Sequence, residues 1–243
     1  MIIAAALCPS PPLLLPPLTG AAVVLPELRH ATRDLVAELL AAGPEVVAVV
    51  GAGEVTTRWA DGSPSGPASF APGTGLPPGE LPSAVTVGRW LVEKAEFAGE
   101  LAVMSVAGEE PAAECARIGA GLAEGTRRVA LLAMGDGSAC RGPKAPGYLD
   151  PRAHGFDAEV ERAVRAGELD ALLRLDPELA GELMVTGRVA WQVLAGALAG
   201  VPVETRVRYC DDPFGVAYLA ASVTVASVTV APVTVGSARV REA

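Results

Sequence analysis

Two histidines, His30 and His154, are all the imidazole in this 243-residue chain. A three-histidine metal site therefore cannot form within it, and a site of two histidines and one carboxylate would consume both. His30 lies in a charged helical stretch beside Arg29. His154 lies in Pro151-Arg-Ala-His-Gly-Phe-Asp157, just after a glycine-rich loop, from where it could reach a pocket. The acid of most interest is Asp136, in Gly135-Asp-Gly-Ser138 at the end of an apolar run. A carboxylate there can bind a metal or a ligand's donor, or cap its own turn. The loop 142–148 adds Lys144 and Tyr148, a cation and a phenol suited to an anionic or aromatic small molecule. Cys8 or Ser10 with His154 and Asp136 would supply nucleophile, base and orienting acid if folding brings them within hydrogen-bonding reach. For His154 the competing role is a surface or capping histidine.

Other chemistries lack their residues. The cysteines Cys8, Cys115, Cys140 and Cys210 are far apart with no CxxC pair, which excludes a zinc ribbon or thioredoxin-type motif and points to reduced thiols. The turns Gly51-Ala-Gly53 and Gly135-Asp-Gly137 follow apolar runs, but GxGxxG, GxxxxGK[ST] and GxSxG are all missing. Net charge is −9 and the arginines are scattered, so no nucleic-acid surface is expected. No uninterrupted apolar stretch is long enough to span a membrane. The apolar N-terminus has no basic residues ahead of it and stops at Pro9, so it reads as a strand of a cytoplasmic protein. Two lysines, one glutamine and no asparagine point to a high-GC genome.

The elements that must position these residues follow from hydrophobic pattern. Ile2–Leu7, 45–50, 100–106 and 128–134 are short apolar runs bounded by Gly or Pro, which predicts buried strands. Helical spacing predicts helices over 27–42, 84–97 and 109–124, and a helical region over 151–199. Segments 203–209 and 216–225 read as late strands, antiparallel at a sheet edge. Residues 61–82 read as a long Gly/Pro/Ser loop. Strands alternating with helices predict one α/β domain with a mostly parallel sheet and helices on both faces. The C-terminus carries ASVTV, ASVTV and APVTV over 221–235. Because an odd period cannot keep one face of a strand, the expected division is a domain over 1–220 and a repeat tail over 221–243. A strand available for pairing between subunits is the competing reading of those repeats.

Three sets of residues carry a resemblance. Ala6-Leu-Cys-Pro-Ser-Pro-Pro-Leu-Leu14 ends the first strand. Met134-Gly-Asp-Gly-Ser-Ala139, Ala145-Pro-Gly-Tyr-Leu-Asp-Pro151 and Phe156-Asp157 follow the later one. Ala190-Trp-Gln-Val-Leu-Ala-Gly-Ala197 comes last. In this order they resemble the catalytic subunits of the class III extradiol ring-cleavage dioxygenases, over most of the chain before the repeats. The resemblance implies an α/β sheet covered on both sides, Fe(II) held by two histidines and a carboxylate, a further catalytic histidine, and opening of catechol-type rings by oxygen. The family's ligand and catalytic positions would fall at Ser10, near Gly51–Glu54, at Ala139 and near Gly187, with Glu182 offset from the last. None of these is histidine.

Serine, glycine and alanine do not replace imidazole on Fe(II), so fold and activity need not travel together. The expectation is therefore a non-catalytic homologue with no cofactor. It would bind a small molecule or a protein partner in a cleft formed by loops 8–17, 51–82 and 135–150. Ser10, Asp136, Ser138, Lys144 and Tyr148 are the candidate ligand contacts, with His154 and Asp136 the candidates for any catalysis. The alternatives are an oxygenase with an atypical metal set of Glu54, Asp136 and His154, and an accessory subunit of a larger complex. A homodimer fits each.

Overall fold

Strands that run apolar on both sides need cover on both faces, and the chain supplies it. The computed structural model describes residues 1–19, 22, 24–65 and 79–226. The strands are β1 (Ile2–Cys8), β2 (Val46–Gly53), β3 (Thr57–Trp59), β4 (Glu100–Ala107), β5 (Val129–Met134), β6 (Val203–Asp211) and β7 (Tyr218–Val225). The helices are α1 (Pro16–Thr19), α2 (Pro26–Ala41), α3 (Ser83–Lys94), α4 (Ala112–Ala123), α5 (Ala153–Ala166), α6 (Pro177–Glu182) and α7 (Arg188–Ala197). Ala4, Ala6, Val47, Val49, Leu132 and Met134 pack against α2 and α3 through Leu28, Leu35, Val85 and Val92. Leu7, Ala48, Val50, Leu131 and Ala133 face the other way, onto Phe156, Val160, Trp191 and Leu194 of α5 and α7. The result is a single α/β domain with helices on both faces of one sheet.

That sheet has seven strands in the order β3-β4-β2-β5-β1-β7-β6. The pairings β1–β5, β2–β4 and β2–β5 are parallel, whereas β3–β4, β1–β7 and β6–β7 are antiparallel. The expectation of a mostly parallel sheet is thus corrected to a mixed one. The late strands β6 and β7 are joined by a short turn closed by Gly215 N donating to Asp212 O at 2.8 Å. A connection that short serves only antiparallel neighbours, since a parallel pair needs a crossover.

The tail boundary at 220 is also corrected, because it falls inside β7. The first repeat copy, 221–225, pairs on one side with β1 (Leu7 with Ala221) and on the other with β6 (Val207 with Ala221). One copy taken alone alternates well: Ala221 and Val223 are buried while Thr224 is exposed. The expectations for 227–243, and for most of the loop after Ser65, lie outside the described residues. Strand β3 is too short to show in the pattern, and Trp59 Nε1 donating to Ser105 Oγ at 3.0 Å holds it on β4. The helical region 151–199 is interrupted where Gly167 takes φ +70° to end α5 and where Asp176 accepts the Glu178 and Leu179 amides to start α6. Among the described residues no helix is long and apolar enough to cross a membrane.

Candidate functional site

Strands β1 and β5 are neighbours, yet the chain leaves β1 toward α2 on one face and β5 toward α5 on the other. Where adjacent parallel strands send their connections to opposite faces, a crevice opens beyond their C-terminal ends. Ser10 stands just past β1 and Asp136 just past β5. Gly135 N donates to Cys8 O at 3.0 Å, and Ser10 N donates to Asp136 Oδ1 at 2.7 Å. The Asp136 backbone is fixed as well: its N–H donates to Thr186 Oγ1 at 2.9 Å, and its carbonyl accepts Gly187 N at 2.9 Å. This joint depends on glycine. A Cβ on Gly135 would lie 2.3 Å from Gly187 Cα, and one on Gly187 would lie 2.2 Å from the Trp191 indole.

Asp136 is half-buried and keeps some accessible surface. Burial pushes it up from 3.8 to about 7, and the Ser10 amide is the one opposing influence. Its second oxygen has no hydrogen-bond donor among the described residues. Burial raises the Cys8 thiol and the Tyr218 phenol well above their ordinary values, and the Asp136 charge raises both further. A buried thiol held protonated in this way is the reverse of an activated nucleophile.

A second carboxylate, Asp157 on α5, lies at a neighbouring cavity of about 250 Å³ that also touches Gly137, Arg141 and Trp191. Ser138 N donates to its Oδ1 at 2.9 Å, and the Ser138 hydroxyl donates to its Oδ2. Arg141 Nη1 is 3.5 Å from Oδ2, while Arg141 Nε is 2.7 Å from Asp212 Oδ2. Burial raises Asp157, and Ser138, Arg141 and His154 pull it back down.

The structure therefore brings Ser10 and Asp136 together and separates the remaining sequence candidates from them. Ser138 is fully buried with its hydroxyl committed to Asp157, so it is removed from the ligand contacts. His154 is exposed on the first turn of α5 and acts electrostatically on Asp157, three residues along. Lys144 and Tyr148 face solvent on the outer loop, with Tyr148 65% exposed in a left-handed turn at φ +61°. Glu54 is exposed past the end of β2. Among the described residues no three His, Cys, Asp or Glu side chains are grouped to hold a metal, so the set Glu54, Asp136 and His154 is not assembled. Sequence reasoning missed Thr186, Tyr218 and the role of Asp157. The one available signal was the Phe156-Asp157 pair that follows His154.

No protein-family model matches the chain, and no curated protein matches it. Among solved structures it is similar to the uncharacterized protein JW3007 from Escherichia coli K12. The likeness covers 91% of this chain and 99% of that one, at 16% identity and a TM-score of 0.53. At that identity the likeness establishes a shared fold and nothing about chemistry.

Proposed function

We propose that this chain is a ligand-binding homologue of the extradiol dioxygenase catalytic subunits, whose β1/β5 crevice takes a small molecule on Asp136 without iron. The observation that carries the reading is the Asp136 carboxyl. It sits half-buried just past the end of β5, anchored through one oxygen by Ser10 N–H, with no hydrogen-bond donor on the other oxygen among the described residues. A binding group of this kind orients a ligand with few, well-placed polar contacts.

The residues do not fit Fe(II). Ser10 gives its amide to Asp136, and Ala139 is buried. At the end of β2 a Cβ on Gly51 would lie 2.8 Å from Ala84 Cβ, and one on Gly53 would lie 2.8 Å from Ser105 Cβ. An imidazole therefore has no room at either glycine. Gly187 is likewise closed by Trp191.

The test is metal analysis of anaerobically purified protein, before and after loading with Fe(II). The expected result is that no iron is retained and that catechol is not opened. Iron held near one equivalent, and lost in Glu54→Ala, Asp136→Ala and His154→Ala variants, would overturn the proposal and favour a ring-cleaving oxygenase.

A further inference from the structure

We infer that the cavity between α5 and the β6–β7 edge of the sheet binds a small neutral carbonyl compound, with the Trp191 indole N–H and the Arg141 Nε–H as its hydrogen-bond donors. This site is separate from the β1/β5 crevice, since Asp136 does not line it.

The cavity holds about 250 Å³. Pockets for drug-sized ligands run from roughly 300 to 1,000 Å³, so this one suits a single substituted ring. Val160 of α5, Trp191 of α7 and Leu219 of β7 supply apolar walls from one continuous core. Arg165, Cys210 and Asp211 also line it and are exposed, so it opens to solvent on their side.

Two of its lining residues carry buried donors with nothing to donate to. The Trp191 side chain is 1% exposed, and its Nε1 has no acceptor among the described residues. Trp59, by contrast, donates to Ser105 Oγ. Arg141 Nε lies 2.7 Å from Asp212 Oδ2, but its N–H is not directed at that oxygen and has no other acceptor among the described residues. A buried donor left unpaired is destabilising, and native folds keep few without a water or a ligand to accept from them. Water can fill a cavity of this size, but against apolar walls most of it finds few partners. A ligand that replaces it with an apolar ring and keeps one acceptor oxygen is favoured over it.

The charges select a neutral occupant. Asp157, Glu161, Asp211 and Asp212 line the cavity against two guanidiniums, Arg141 and Arg165, so an anion meets an excess of like charge. A cation would gain little from acids already engaged: Asp157 holds Ser138, Glu161 holds Arg165, and Asp211 accepts the Asp212 amide. An ammonium also brings only donors, which leaves the indole and guanidinium N–H groups as they were. A carbonyl oxygen supplies the missing acceptor.

The experiment uses the full chain and three probes built on one ring: acetophenone, benzoate and benzylamine. Affinities are measured by titration calorimetry near pH 7, where the last two are charged. The indole N–H signals of the three tryptophans are followed by NMR in the same titrations. Trp59→Phe and Trp90→Phe identify the Trp191 signal by elimination without touching the cavity. Acetophenone is expected to bind about tenfold more tightly than either charged probe and to shift the Trp191 signal. Trp191→Phe, which removes the N–H and keeps a ring, should weaken acetophenone about fivefold to tenfold. If that variant fails to fold, the wild-type Trp191 signal still decides. Benzoate or benzylamine binding as tightly as acetophenone would overturn the inference. So would acetophenone binding that leaves the Trp191 signal in place, or no binding at millimolar concentration, which would mean a cavity filled by water only.

Discussion

Asp136 and Asp157 both flank the loop that follows β5, and burial pushes both upward. Their surroundings differ. Asp157 receives an amide, a hydroxyl and a guanidinium, all from side chains or backbone within its own corner of the fold. Asp136 receives one amide, from the loop after β1. A fully partnered buried acid ties elements together and has little left to give a ligand. A sparsely partnered one at a strand-end crevice is costly to keep, and that cost is the physical signature of a group held for binding. The residues nearest His154 are therefore scaffold, and the crevice between β1 and β5 is the candidate site.

The sharpest break of this comparison is Asp157→Ala. It strands Arg141 and leaves the Ser138 amide without its acceptor, so a loss of about 3–5 kcal/mol is expected in urea unfolding. A loss below about 1 kcal/mol would mean that the Asp157 network is not structural.

Gly135→Ala comes next. Its Cβ meets the backbone of Gly187, so about 1–3 kcal/mol of stability should go as the joint that holds Asp136 opens. Urea unfolding of the variant beside wild type checks it.

Asp136→Asn should act in the opposite direction. The folded carboxyl titrates near 7 against an ordinary 3.8, so the folded chain holds the proton more tightly than the unfolded chain. Wild-type stability therefore falls as pH rises from about 4 to about 7 and levels off above. The asparagine variant should be about 1–3 kcal/mol more stable near pH 8 and no different near pH 4. A destabilised variant at high pH would show that Asp136 is paired after all. The smallest effects belong to Lys144→Ala and Tyr148→Phe, each expected within about 0.5 kcal/mol of wild type in the same unfolding assay.

These contrasts also show why part of the molecule could be read in the sequence and part could not. Runs such as Val46–Val50 and Val129–Met134 are apolar on both faces, so strand, burial and two-sided cover follow from them alone. Ser10 and Asp136 could be placed at strand ends for the same reason. Their hydrogen bond could not, because it depends on β1 lying beside β5, a pairing set by the whole sheet. Asp157 was hidden differently. In a helix with charged neighbours an acid reads as solvent-facing, and only the packing of α5 shows it buried under Ser138. His154 sits on the same helix, and there the face decided against it. The late strands were legible as an antiparallel edge pair, whereas the short strand β3 on β4 and the antiparallel seam of β7 on β1, which make the sheet mixed, depend on pairing across the whole sheet.

Strand β7 has a consequence for how this chain tolerates change. Its last five residues are one copy of ASVTV, and an identical copy, Ala226-Ser-Val-Thr-Val230, follows directly. Deleting 221–225 would leave Tyr218-Leu-Ala joined to the second copy, so that the same eight-letter strand is restored between β1 and β6. The chain thus carries a spare for a strand of its sheet interior. Slippage that adds or removes one whole copy there would change its length without changing the text of the folded domain.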